Sequence, residues 1–103
     1  MILECAGLTA ELCICVEQIR ELGQEARNCL AHPAPHWDRM ASGRVDVWAI
    51  RAGVVLVAAA EVDRRSGKVG QLLAPGNAPV PEEMRGAAEA AARAVGETSR
   101  QLK

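Results

Sequence analysis

The chain has no phenylalanine and no tyrosine, and only two tryptophans, Trp37 and Trp48, carry large rings. A core without those rings has to be filled by Ala, Val, Leu and Ile. Such residues let backbones approach closely but bury little area each. At roughly 25 cal/mol per Å² of apolar surface, a core of this kind gives only modest stability in a small domain. Self-association into a homodimer would add to it. An excess of positive charge is also missing: 12 Lys and Arg stand against 13 Asp and Glu, a formal charge of −1. Nucleic-acid binders draw much of their affinity from phosphate neutralisation, so nucleic acid is not the expected partner. The longest uncharged apolar run, Ala52 to Ala60, is too short to cross a bilayer. Met1 is followed by Glu4 and Gly7 rather than by a basic stretch and an apolar run, so the expectation is a cytoplasmic chain without a secretory leader. In that reducing compartment Cys5, Cys13, Cys15 and Cys29 are expected as thiols, not as a disulfide framework.

What is present is half hydrophobic, in 103 residues. That is enough for one packed domain spanning 1–103 and too much for a disordered tail. Leu8, Leu12, Val16, Ile19, Leu22, Ala26 and Leu30 recur at three- and four-residue steps, which predicts an amphipathic helix over 8–30. Thr9 is its expected N-cap, and Glu11 suits the positive end of its dipole. Glu17, Glu21 and Glu25 form an acidic stripe on the other side. Met1 to Cys5 reads either as a short extra strand or as a frayed end. The prolines between His32 and Trp37 cannot continue the helix. The period then changes to two, and strands are expected near 45–50, 54–62 and 68–73. Ala52-Gly53 and Asp63 to Gly67 are the turns between them. Pro81 with Glu82 and Glu83 opens a second helix, whose buried face is marked by Met84, Ala87, Ala88, Ala91, Val95 and Leu102. The expected fold is α+β: a three-stranded antiparallel meander packed against two helices, in the order α-β-β-β-α.

Cys29, His32 and His36 have the spacing C-x2-H-x3-H, with Asp38 near. These residue types could meet on a zinc ion, but a structural site takes four ligands and commonly a close cysteine pair. A half-buried thiol with two loop histidines is the simpler reading, so no metal or other cofactor is expected. The same residues could make a nucleophile and base. A thiolate at Cys29 would then sit near a helix C-terminus, where the dipole disfavours it. Cys13 and Cys15 are two apart and make no C-x-x-C redox motif. Gly67 and Gly70 fit no phosphate loop. Between 39 and 68 the chain leans basic through Arg39, Arg44, Arg51, Arg64, Arg65 and Lys68, the set that a nucleic-acid-binding alternative would use.

Further motifs carry a resemblance. They are Glu21-Leu22-Gly23, Asn28-Cys29-Leu30, Ala41-Ser42-Gly43-Arg44, Trp48-Ala49-Ile50-Arg51, Ala60-Glu61-Val62, Ser66-Gly67-Lys68-Val69 and Gln71 to Asn77. From about 20 to 83 the chain resembles the PcfJ-like domain of conjugative plasmids and phages. That family typically shows a His-Cys pair at a helix end and a Q-x-x-G-x-x-N signature after its strands. Here Asn28 stands where the family has His, and Ala74 where it has Gly. The resemblance implies an origin on a mobile element, and Gln71 and Asn77 as the polar positions of a site. Together these readings point to a non-enzymatic protein-binding module. By analogy with small proteins of mobile elements, its form would be an inhibitor of a host protein complex such as a CRISPR effector, contacted through Glu17 and Glu21. The alternatives are an enzyme with Cys29 as nucleophile and a nucleic-acid accessory factor of conjugation.

Overall fold

The structure, a computed structural model, describes residues 1–26 and 44–101. The chain runs β1 (Ile2–Cys5), β2 (Leu8–Leu12), α1 (Val16–Ala26), β3 (Val45–Ala52), β4 (Val55–Asp63), β5 (Val69–Leu73), a 3₁₀ turn (Pro75–Asn77) and α2 (Glu82–Gln101). The five strands among the described residues form one antiparallel sheet in the order β1-β2-β3-β4-β5. This corrects the expected three-stranded meander and the order α-β-β-β-α, because Leu8–Leu12, the opening of the helix expected over 8–30, is a strand that pairs with a further strand, Ile2–Cys5. Leu8 and Leu12 do lie one helical step apart, but Leu8, Ala10 and Leu12 also alternate at period two. Pairing decides between the two. Ala10 stands opposite Ile50 and Leu12 opposite Trp48 on β3, while Leu3 and Cys5 of β1 stand opposite Ala10 and Leu8. Thr9 and Glu11 are therefore strand residues and cap nothing. The extra strand at the N-terminus is real.

The later elements follow their sequence signals closely. Gly53 takes the positive φ that the β3–β4 connection needs (61°). The β4–β5 turn is held by Asp63, whose Oδ1 accepts from the amides of Arg65 (2.9 Å) and Ser66 (2.8 Å). In α2, Pro81 precedes the helix and Glu82 and Glu83 occupy its first turn, where carboxylates complement the dipole.

The two helices among the described residues cover opposite faces. Alternation along the strands sends Leu8, Ala10, Trp48, Ile50, Ala58, Ala60 and Val62 to one side, where Ala88, Ala91 and Val95 of α2 pack on them. Val47, Ala49, Leu56 and Ala59 point to the other side and meet Cys13, Ile19 and Leu22, so α1 covers that face. Alanines predominate where α2 crosses β4, so helix and sheet backbones lie close. On the α2 side the Trp48 indole is fully buried and donates from Nε1 to Ser99 Oγ at 2.9 Å. Buried Asp46 accepts from Arg64 Nε (3.1 Å) and from Nη2 of the same guanidinium through its Oδ1, and Oδ2 has no partner among the described residues. Among the described residues no helix is long and apolar enough to cross a membrane.

Candidate functional site

The acidic stripe lies on α1. The helix begins at Val16, just past the half-buried Cys15, and Gln18 reaches back so that its Oε1 accepts from the Ile14 amide at 2.6 Å. Ile19, Leu22 and Gly23 face the sheet, which leaves Glu17, Arg20, Glu21, Gln24 and Glu25 exposed. Glu17 and Glu21 are one helical step apart and share the outer surface. Glu25, at the end of the stripe, is drawn inward. It accepts from both terminal nitrogens of Arg51 on β3, at 2.6 and 2.7 Å. The hydrogen bonds from Arg51 hold the Glu25 carboxyl below its usual range, and the same bonds raise the Arg51 guanidinium.

Sheet pairing adds to this face two carboxylates that the helical reading left out. Leu3, Cys5, Leu8, Ala10 and Leu12 point towards α2, so Glu4 of β1 and Glu11 of β2 point to the α1 side, and both are exposed. The described α1 side therefore carries Glu4, Glu11, Glu17, Glu21 and Glu25 together with Arg20 and Arg51. The signal for Glu4 and Glu11 was their alternation with Leu3, Cys5, Ala10 and Leu12, legible once 2–12 is read as a hairpin.

The basic candidates separate. Arg44, Arg64, Arg65 and Lys68 collect around the β4–β5 turn, where the Arg64 amide donates to the Arg44 carbonyl (2.9 Å) and the Asp63 amide to the Lys68 carbonyl (2.8 Å). Arg51 lies at the other end of the sheet, on Glu25. At the turn Arg64 is committed to Asp46, whose hydrogen bonds raise the guanidinium, and Arg100 on α2 nearby pairs with Glu97. Asp63 adds a carboxylate held below its usual range by the Ser66 amide, the Ser66 hydroxyl and the Arg65 amide. Three carboxylates thus sit among the cations of this corner.

Gln71 is exposed on the edge strand β5, opposite Glu61 of β4. Asn77 belongs to the 3₁₀ turn that follows. Cys29, His32, His36, Asn28, Asp38, Trp37 and Arg39 lie outside the described residues. Of the described thiols, Cys13 is buried between β2 and α1 rather than on the helix of the sequence reading. Burial, with Glu11 and Cys15 adding to it, pushes its thiol up to about 12. A thiol so raised is not a nucleophile at neutral pH. Among the described residues no group of three or more His, Cys, Asp or Glu is placed to hold a metal ion.

Comparison with known proteins returned no matching family model, no matching curated protein and no matching solved structure. The PcfJ-like resemblance rests on the sequence motifs alone.

Proposed function

We propose that this chain is a non-enzymatic protein-binding module of a mobile element that presents the α1 side of its sheet to a basic partner surface. The observation that carries the reading is that exposed Glu17 and Glu21 share one side of the fold with exposed Glu4 and Glu11. Clustered carboxylates of this kind steer association with a positively charged surface and disfavour partners of like charge. Surfaces that handle nucleic acid carry such positive charge. This is the physical content of the inhibitor form, in which the module occupies the nucleic-acid path of a host defence complex such as a CRISPR effector.

The test is capture of host proteins on the immobilised chain, compared with a Glu17→Lys, Glu21→Lys variant whose circular dichroism and melting match the parent. A complex held by the parent, released by moderate salt and missing from the variant supports the reading. Equal capture by both proteins sinks it.

A further inference from the structure

α2 shows solvent a flank of alternating charge. Glu82, Arg85, Glu89 and Arg93 follow one another at steps of three and four residues, so they lie in one row along the helix, and all four are exposed. Further along, Glu97 and Arg100 satisfy each other within the helix.

The order of signs along the row is minus, plus, minus, plus. Turned end for end it reads plus, minus, plus, minus. Two copies of α2 laid antiparallel about a two-fold axis therefore set Glu82 against Arg93 of the second copy and Arg85 against its Glu89, each contact occurring twice. The steps of three, four and four residues reverse to four, four and three, so no pair is displaced by more than one residue, about 1.5 Å of helix rise. A parallel pair in register would set like charges together, and a parallel staggered pair would leave charges unmatched at both ends. The antiparallel two-fold matches all four and closes.

Exposed ion pairs set register and orientation more than they supply affinity. Apolar surface beside the row can supply it. A concavity of about 480 Å³ is lined by Leu72 and Leu73 of β5, Pro79 and Val80 of the loop before α2, and Arg85 and Glu89 of α2. Leu72 and Leu73 are half-buried, so they keep apolar surface that a second copy would remove from water. The charges nearest the axis thus border the apolar lining, the arrangement of apolar centre and polar rim found at protein interfaces.

From this geometry we infer that the chain forms a two-fold dimer with a second copy of itself, α2 antiparallel to α2, with Arg85 and Glu89 paired across the axis and the apolar lining beside them covered. α1 lies on the opposite side of the sheet, so both copies keep their acidic faces free and the dimer presents that face twice. The inference stands independently of what that face binds.

Sedimentation of the purified full chain over a concentration series tests it. The parent is expected to pass from monomer to dimer as concentration rises. Arg85→Glu sets two carboxylates against each other on both sides of the axis, and should raise the dissociation constant by about tenfold or more. Adding Glu89→Arg to that variant restores opposite signs across the axis and should bring the constant back towards the parent's. Both positions are exposed, and circular dichroism checks that each variant is folded. Glu17→Lys with Glu21→Lys, on the other face, should dimerise as the parent does. The inference is overturned by a parent that stays monomeric throughout, by a dimer indifferent to Arg85→Glu, or by a Glu89→Arg change that restores nothing. Loss of the dimer through Glu17 and Glu21 would overturn it as well. No host protein enters the experiment, so its outcome is separate from that of capture on the acidic face.

Discussion

Gly96 of α2 lies so close to the carbonyl of Gly67 in the β4–β5 turn that a Cβ on Gly96 would overlap that oxygen, and a Cβ on Gly67 would stand 2.9 Å from the Gly96 oxygen. Two glycines face each other where helix and turn cross, and Gly67 also needs its positive φ (76°). In the sequence Gly96 reads as a weakness in an alanine-rich helix. In the fold it is the point that lets α2 settle on the sheet. The consequence is a contrast within one helix. Gly86 has open space around its Cα, so Gly86→Ala should stabilise the protein by up to about 1 kcal/mol through helix propensity. Gly96→Ala gains the same propensity but must displace backbone, and should cost about 1–3 kcal/mol. Urea unfolding of the two variants decides it, and equal stability would show that the crossing is loose.

The second half of the chain was legible because its turns are written in turn residues. Gly53 and the Asp63 to Gly67 run delimit β3, β4 and β5 to within a residue or two, and Pro81-Glu82-Glu83 marks the start of α2. The first half was not, since Leu8, Ala10 and Leu12 suit either period, and pairing with β1 and with β3, the latter some forty residues away, settles the matter. The site divides in the same way. Glu17 and Glu21 are readable as one helical step. Glu4 and Glu11 join them through strand pairing, and the partners of Arg51 and Arg64 come from distant elements. Non-local contacts of this kind leave no local periodicity to read.

The only large ring described in the core is anchored by a single bond. Trp48 donates to Ser99 with both residues fully buried, so Ser99→Ala leaves an indole N–H without an acceptor. That should cost about 1–3 kcal/mol in chemical denaturation. A double-mutant cycle with Trp48→Phe, which removes the donor, should return a coupling of about 1 kcal/mol or more. Additive losses would mean that the hydroxyl acts by packing alone.

Ala6 and Gly7 both hold positive φ, 55° and 79°, in the two-residue connection of β1 and β2. This is the mirror-image turn that suits hairpins, and it favours Asn-Gly. Alanine is costly there, because its Cβ crowds the backbone in the left-handed region. A weak turn residue at this point also explains why the hairpin is easily missed in the sequence. Ala6→Asn should raise stability by about 0.5–1 kcal/mol and shift the melting midpoint upwards by a few degrees. A lower midpoint would contradict the turn geometry.

The Glu25–Arg51 pair ties the acidic face to the sheet and predicts a pH dependence. Glu25 is held below its ordinary value of 4.5, chiefly by the hydrogen bonds from Arg51. A carboxylate depressed in the folded state contributes stability above its unfolded pKa and loses it as pH falls through the folded one. The side chains are 42% and 31% exposed, so solvent screens the pair and its worth is under about 1 kcal/mol. Glu25→Gln should therefore melt slightly below the parent at neutral pH, and the two should converge as the medium is acidified below pH 4.5. High salt should narrow the gap at neutral pH in the same direction. A constant difference from neutral to acid would mean that Glu25 stabilises α1 by packing rather than by charge.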